Sequence, residues 1–415
     1  MTVSVSNSNV KAGILYHFAQ QKPVTGRKRK YQIRVYTHVS VENSAEKRPI
    51  VLLLIPHLGG GGAERVVALL ARGLSREKYE LHLGLITGIA PPADAFPPGL
   101  TIHTLGAPRV GSAIFRLLAL LRRLRPSAIV SGMFHLNFLV IVLRPFFPRF
   151  TRVLVRQNAT VSATLAFDKL PPHTRLLYRL LYSHADRVIC QSPAMANDLV
   201  HEIGIPKDRL AVLRNPVDLG AIRTAAGSCE NLWTGAGPHL LAVGRLSREK
   251  GFDLLLQALL AVRTHLPNAD LAIVGAGPEE TALKSVCRSL GLNAAVHFAG
   301  CVAEPAAYFP GATAFVLSSR HEGLPNALLE AAAGGLPIVA LPASEGIRDL
   351  LRGQPGTWLA PEITAEALAG TLLLALASLQ KRERFTHPFI EEFGMDRAIY
   401  AYEELIDATI DEHSC

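Results

Sequence analysis

Ala314-Phe315-Val316-Leu317-Ser318-Ser319-Arg320-His321-Glu322-Gly323-Leu324-Pro325-Asn326-Ala327-Leu328-Leu329-Glu330-Ala331-Ala332-Ala333-Gly334-Gly335 reads as a strand, a loop and a helix in one stretch. The apolar run 314–317 suits a buried strand, Pro325 suits a first helical position, and Gly334-Gly335 suits a stop. This reading puts Glu322 on the loop and Glu330 on the second turn of a helix over 325–333. Between them the N–H groups of Gly323, Leu324 and Asn326 point outward, while Pro325 has none to offer. A helix N-terminus attracts an anion, and carboxylates accept hydrogen bonds from vicinal hydroxyls. The stretch therefore fits a sugar joined to a phosphate. The plainer alternative is a solvated helix start with two surface glutamates.

Outward from this unit the same alternation repeats. Ile50 to Ile55 is a continuous apolar run of the kind shown by a buried parallel strand, and Gly59-Gly60-Gly61-Gly62 turns from it into a helix. Strands at 81–86, 128–131, 152–156 and 187–190 alternate with helices at 113–124, 175–183 and 193–203. A Gly/Ser/Asn-rich stretch, Gly227 to Pro238, looks like a linker. The alternation then restarts with strands at 239–243, 270–274, 296–299, 314–317 and 338–340. The expected fold is α/β, with two Rossmann-like, doubly wound domains at 49–217 and 218–394 facing a cleft. Met395 to Ile410 is amphipathic and fits packing on either domain. Residues 1–48 show no sustained period and carry the cluster Arg27-Lys28-Arg29-Lys30, so a loosely ordered arm is expected there.

Charge divides the chain. Residues 1–217 hold 29 Lys+Arg against 11 Asp+Glu, whereas residues 218–415 hold 14 against 23. A basic first half points to an anionic partner such as a membrane surface or a lipid phosphate. Nucleic acid fits less well, because the cations sit among Leu and Phe without a recognisable binding motif. Arg116, Arg122, Arg123 and Arg125, with Arg144, Arg149, Arg152 and Arg156, suggest a basic apolar surface for anionic lipid; an ordinary amphipathic helix is the alternative. The most apolar segment, 128–147, contains His135, Asn137 and Arg144 and breaks at Pro145, so no membrane span and no secretory signal is expected. Five cysteines without CxxC or His/Cys ligand spacing point to a reducing cytoplasm and no zinc site.

Arg245 and Lys250, in Gly244-Arg245-Leu246-Ser247-Arg248-Glu249-Lys250-Gly251, lie at the carboxyl end of a strand, where α/β sheets bind ligands. Two cations there can neutralise a diphosphate that gains charge as it leaves. Gly275-Ala276-Gly277-Pro278 invites a nicotinamide dinucleotide reading, but Glu280 replaces the third glycine of that fingerprint and Pro278 intrudes.

Taken in order, these residues resemble glycosyltransferase family 4, of GT-B architecture. The matching elements are Gly60-Gly61-Gly62-Ala63-Glu64, Asn215-Pro216-Val217-Asp218, Gly244-Arg245-Leu246 with Lys250-Gly251, Ile273 to Pro278, and Glu322 through Glu330 as the family's Glu-x7-Glu. The resemblance spans roughly residues 50–410. It implies that Arg245 and Lys250 hold the donor diphosphate, that Glu330 accepts the ribose hydroxyls, that Glu322 contacts the donor sugar, and that the Gly323, Leu324 and Asn326 N–H groups complete the cradle. It also implies a retaining transfer without a protein nucleophile and without a cofactor or metal. His135 is the candidate for the histidine that many relatives bring to the donor sugar; a core histidine is the alternative. The natural acceptor is a glycan or lipid-linked saccharide, with the protein cytoplasmic or peripheral at the inner membrane face. A GT-B sugar-nucleotide 2-epimerase and a non-catalytic sugar-nucleotide-binding module are the competing readings.

Overall fold

The computed structural model describes residues 48–412, apart from 60, 89–90, 93–94, 168–170, 172, 229–232, 234, 303 and 381–382, together with three strands nearer the N-terminus. Those strands, β1 (Val5–Asn7), β2 (Val10–Leu15) and β3 (Tyr36–Ser40), pair antiparallel in a separate unit, Met1–Arg48, to which the sequence analysis assigned no element. The Arg27–Lys30 cluster lies outside the described residues.

The unit 49–415 holds two parallel sheets. The first contains β4 (Ile50–Ile55), β5 (Glu80–Leu85), β6 (Leu100–Thr104), β7 (Ala128–Ser131), β8 (Arg152–Arg156), β9 (Arg187–Cys190) and β10 (Leu210–Val212), in the order β10-β9-β8-β7-β4-β5-β6. The second contains β11 (His239–Val243), β12 (Asp270–Val274), β13 (Val296–Gly300), β14 (Ala314–Leu317), β15 (Ile338–Ala340) and β16 (Thr357–Leu359), in the order β13-β12-β11-β14-β15-β16. In each sheet the connections reverse direction once, between β4 and β7 and between β11 and β14. Chain crossings that diverge at such a point leave a crevice at the strands' carboxyl ends, which is where open α/β sheets take ligands.

Period-two alternation divides each sheet's side chains between two helical layers. Leu52, Leu54, Ile129 and Val153 enter one core of the first domain; Val51, Leu53, Val130 and Leu154 enter the other. Edge strands β6 and β16 escaped the sequence reading because neither has a run buried on both faces.

Three expectations change. The stretch 227–238 is not the linker between domains, because Val217 and Ile222 already belong to the core of the second domain. The crossing occurs beside Val217, whose N–H donates to Phe393 O at 2.8 Å, so two strands of chain pass side by side between the domains. Pro325 caps the helix instead of opening it: its backbone is extended (φ −74, ψ 120) and the helix runs Asn326–Ala333. Arg152 and Arg156 leave the basic surface, because β8 is interior and takes both side chains with it. Arg156 is buried beneath the hydroxyl of Tyr402 (2.9 Å), with Asn158 and Asn215 as further partners. Tyr402 belongs to the helix Met395–Asp411, which buries Ile399, Tyr402 and Ile406 against the first domain.

Candidate active site

The loops that follow β4, β7, β11 and β14 meet where the two crevices face each other. Contact is close: a Cβ added at Gly323 would lie 2.4 Å from Asn158 O of the first domain. Asn326 spans the gap, donating to Gly62 O at 2.6 Å and accepting from Asn215 Nδ2 at 2.7 Å. Asn215 is held in turn by the buried Arg156 guanidinium. An arginine closing the apolar run Val153-Leu154-Val155 on a strand was the sequence signal for this network, and composition alone assigned it to the surface.

Glu322 sits on the loop after β14, nearly buried, paired with the Lys250 ammonium and accepting from Ser319 Oγ at 2.7 Å. Lys250 reaches it from a short turn over Arg248–Lys250 after β11. Several contacts hold that turn. Ser318 Oγ donates to Lys250 O at 2.8 Å, the Arg320 N–H donates to Glu249 O at 2.7 Å, and Gly251 adopts φ 64 with its Cα against Ser318 O. Arg245 stands exposed on the same loop. Gly277 serves this loop too: a Cβ there would come within 2.3 Å of Leu246 O. Close backbone packing therefore explains Gly275-Ala276-Gly277-Pro278 without a dinucleotide.

Glu330 is on the second turn of Asn326–Ala333, buried, and its Oε1 receives Arg65 Nε at 2.8 Å from the first domain's helix Gly62–Gly73. Burial pushes its carboxyl up to about 7; Arg65 pulls down against this and nearby Glu304 pushes up. Arg65 follows the glycine-rich motif directly, yet its role was invisible in sequence because its partner lies 265 positions away. A cavity of about 20 Å³, lined by Arg65, Asp218, Asn326 and Glu330 among others, adjoins the pair. That is space for a single water.

Among the described residues the N–H groups of Gly323, Leu324 and Asn326 have no hydrogen-bond acceptor, so the cradle keeps its donors. Of the glycine-rich loop, Gly61 and Gly62 begin the helix facing Asn326, and Gly60 lies outside the described residues. His135 is half-buried on the first turn of Phe134–Leu143, edge-on to Phe134. Burial first, then neighbouring His57, lowers its pKa. His57 follows β4, so the two histidines stand at the strands flanking the first switch point; sequence reading passed over His57. No group of three or more His, Cys, Asp or Glu placed to hold a metal ion is found among the described residues.

The site thus brings Arg245, Lys250, Glu322, Glu330 and the cradle N–H groups to one domain face, and Gly61, Gly62, Arg65 and His135 to the face opposite. A model of the family described as Glycosyltransferase Family 4 matches residues 60–221, and one described as Glycosyl transferases group 1 matches residues 237–378. The lipopolysaccharide core biosynthesis glycosyltransferase LpsE of Rhizobium meliloti is 28% identical over 356 residues, 84% of this chain and 97% of that protein. An N-acetylgalactosamine-N,N'-diacetylbacillosaminyl-diphospho-undecaprenol 4-alpha-N-acetylgalactosaminyltransferase of Campylobacter jejuni is 28% identical over 312 residues, 72% of this chain and 82% of its own. Among solved structures, Anabaena HepE in complex with UDP and glucose superposes with a TM-score of 0.69 at 17% identity, covering 87% of this chain and 100% of that one. Two consecutive domain models and a shared two-domain fold agree with the motif order, and the chain belongs to the family 4-like glycosyltransferases of GT-B architecture.

Proposed function

We propose that the protein is a retaining glycosyltransferase that takes a sugar from a nucleoside diphosphate and adds it to a lipid-linked saccharide or nascent cell-surface glycan. One observation carries this reading. Glu322 and Glu330 flank a row of N–H donors with no acceptor among the described residues, just beyond the carboxyl end of β14, and each carboxylate is matched to a cation, Lys250 or Arg65. A diphosphate entering this row takes Lys250 and Arg245 as counter-charges, which frees Glu322 for the sugar hydroxyls. Glu330 accepts from the ribose as Arg65 is displaced. Because Arg65 closes on Glu330 across the cleft, nucleoside entry there displaces Arg65 and parts the domains about the paired crossings near Val217 and Gly394.

In the transfer, the bond from the anomeric carbon to the diphosphate oxygen breaks, and a bond to the acceptor oxygen forms on the same face. The acceptor's proton passes to the departing phosphate. Negative charge grows on the leaving group, where Arg245, Lys250 and the helix N-terminus are placed to hold it without a metal ion. The donor nucleotide of HepE and the acceptor classes named for LpsE and the Campylobacter enzyme support a uridine nucleotide and an envelope glycan as first choices.

The test is thermal stabilisation of the protein by UDP, GDP, ADP and NAD, followed by transfer assays of Lys250→Ala and Glu322→Ala. One nucleoside diphosphate is expected to stabilise, and each substitution to cut transfer by roughly a hundredfold or more, the scale of a lost transition-state charge partner. Near-normal turnover in either variant removes the assignment. Conversion of the donor to a new nucleotide sugar with no acceptor present would identify an epimerase instead.

A further inference from the structure

We infer, on the transferase reading above, that Phe167 of the first domain is the cover that keeps water from the donor sugar's anomeric carbon, so that the bound donor reacts with the acceptor instead of hydrolysing. Phe167 ends the helix Val161–Phe167, which at seven residues is marginal unless it is held. Its start is held firmly. Val161 is buried in the first domain's core, and Asp198, at the end of the helix Pro193–Asp198, accepts from Val161 N at 2.7 Å, from Ser162 N at 3.2 Å and from the Ser162 hydroxyl. That carboxylate answers N–H groups which a helix start leaves open.

The other end of the helix reaches the second domain. The Phe167 ring lies 4.4 Å from the His321 ring, and the Arg248 guanidinium stands over it at 5.1 Å. Both are contact distances for aromatic and cation–π pairs. His321 adjoins Glu322, and Arg248 shares its short turn with Lys250. One ring from the first domain therefore closes over both loops that carry the Lys250–Glu322 pair. Beside it, both ring nitrogens of His321 are buried.

Phe167 is not needed to place those charges, because the second domain's loops bind one another. Ser318 Oγ donates to Lys250 O at 2.8 Å, the Arg320 N–H donates to Glu249 O at 2.7 Å, and Ser319 Oγ donates to Glu322 at 2.7 Å. The Arg320 guanidinium adds two bonds to Asp253, at 2.7 and 2.6 Å. A phenylalanine brings no proton, charge or strong hydrogen bond, so its contribution at this position is apolar bulk. Water competes with the acceptor for the anomeric carbon. In hydrolysis the bond from that carbon to the diphosphate oxygen breaks, a bond to the water oxygen forms, and the water's proton passes to the departing phosphate. Excluding water from a closed site suppresses this side reaction. The ring and its two partners belong to opposite domains, so the cover is assembled when the domains meet around the donor.

Release of nucleoside diphosphate without acceptor tests this, at saturating concentrations of whichever of UDP-glucose, GDP-mannose and ADP-glucose stabilises the wild type against heat. Phe167→Ala should release it at least about fivefold faster than the wild type, as opening a closed site to water requires. Arg248→Gln, which removes the cation from the ring and leaves Lys250 in place, should act in the same direction by less. Thermal stabilisation by the matching nucleoside diphosphate should be kept in both variants, since Arg245, Lys250 and the cradle N–H groups are untouched. A gain in hydrolysis is not what a damaged fold produces. Hydrolysis by Phe167→Ala at or below the wild-type rate, with nucleotide stabilisation intact, overturns the inference and leaves the transferase reading standing. Loss of that stabilisation in Phe167→Ala overturns it as well, because the ring would then serve binding or folding. A wild type stabilised by none of the three donors removes the transferase reading, and the cover with it.

Discussion

Glu330→Gln should make the protein more stable in alkaline solution while weakening its grip on nucleotide. The Glu330 carboxyl titrates at about 7 in the folded chain against an ordinary 4.5, because burial penalises its charge more than Arg65 repays. Well below 4.5 both folded and unfolded chains hold the proton, and the group contributes nothing. Between 4.5 and 7 the unfolded chain releases its proton first, so stability falls as pH rises, and the loss is complete above 7. At about 1.4 kcal/mol per pKa unit the penalty reaches about 3 kcal/mol. Glutamine removes it, and Arg65, whose side chain is 35% exposed, can turn its guanidinium to water at little cost. Thermal midpoints of the two proteins should therefore converge only as the pH falls well below 4.5 and separate by several degrees at pH 8.5, with the variant higher. A ribose that donates to the ionised carboxylate draws its pKa down, so wild-type affinity for the nucleotide should rise more steeply between pH 6 and 8 than that of Glu330→Gln. Comparing the two proteins removes the phosphate's own titration. A stability gap that does not change with pH, or a variant less stable at pH 8.5, refutes the reasoning.

Two further outcomes follow from close packing. Gly251→Ala places a methyl 2.0 Å from Ser318 O at a backbone angle that L residues avoid, so it should displace Lys250. Nucleotide-induced stabilisation should vanish, with a destabilisation of roughly 1–3 kcal/mol by denaturant titration. Tyr402→Phe removes the 2.9 Å acceptor of buried Arg156 Nε and should cost about 1–3 kcal/mol in the same titration, the price of an unpaired buried donor. A neutral result for either would mean that the loop or the C-terminal helix relaxes more freely than its contacts imply.

The sequence alone determined the repeating strand–helix units, the two domains, the placing of Glu322 and Lys250 on loops after strands, and that of Glu330 on the helix that follows. Those features are local: apolar runs, glycine and proline stops and fixed spacing act over a few residues and stay legible in one dimension. Pro325 shows the resolution of such reading, since its chemistry marks the helix start but not which side of the first turn it occupies. What lay beyond it was set by partners distant in the chain. Arg65 meets Glu330, Asn215 joins Arg156 to Asn326, and Tyr402 returns to cover Arg156. Eight arginines of the first half looked alike by composition, yet β8 buried two of them while the helices Ile114–Leu124 and Phe134–Leu143 turned Phe115 and Phe134 to solvent. Only the tertiary structure decides such matters, because burial, and with it the cost of a charge or the exposure of a ring, belongs to the packed layers and not to the residue.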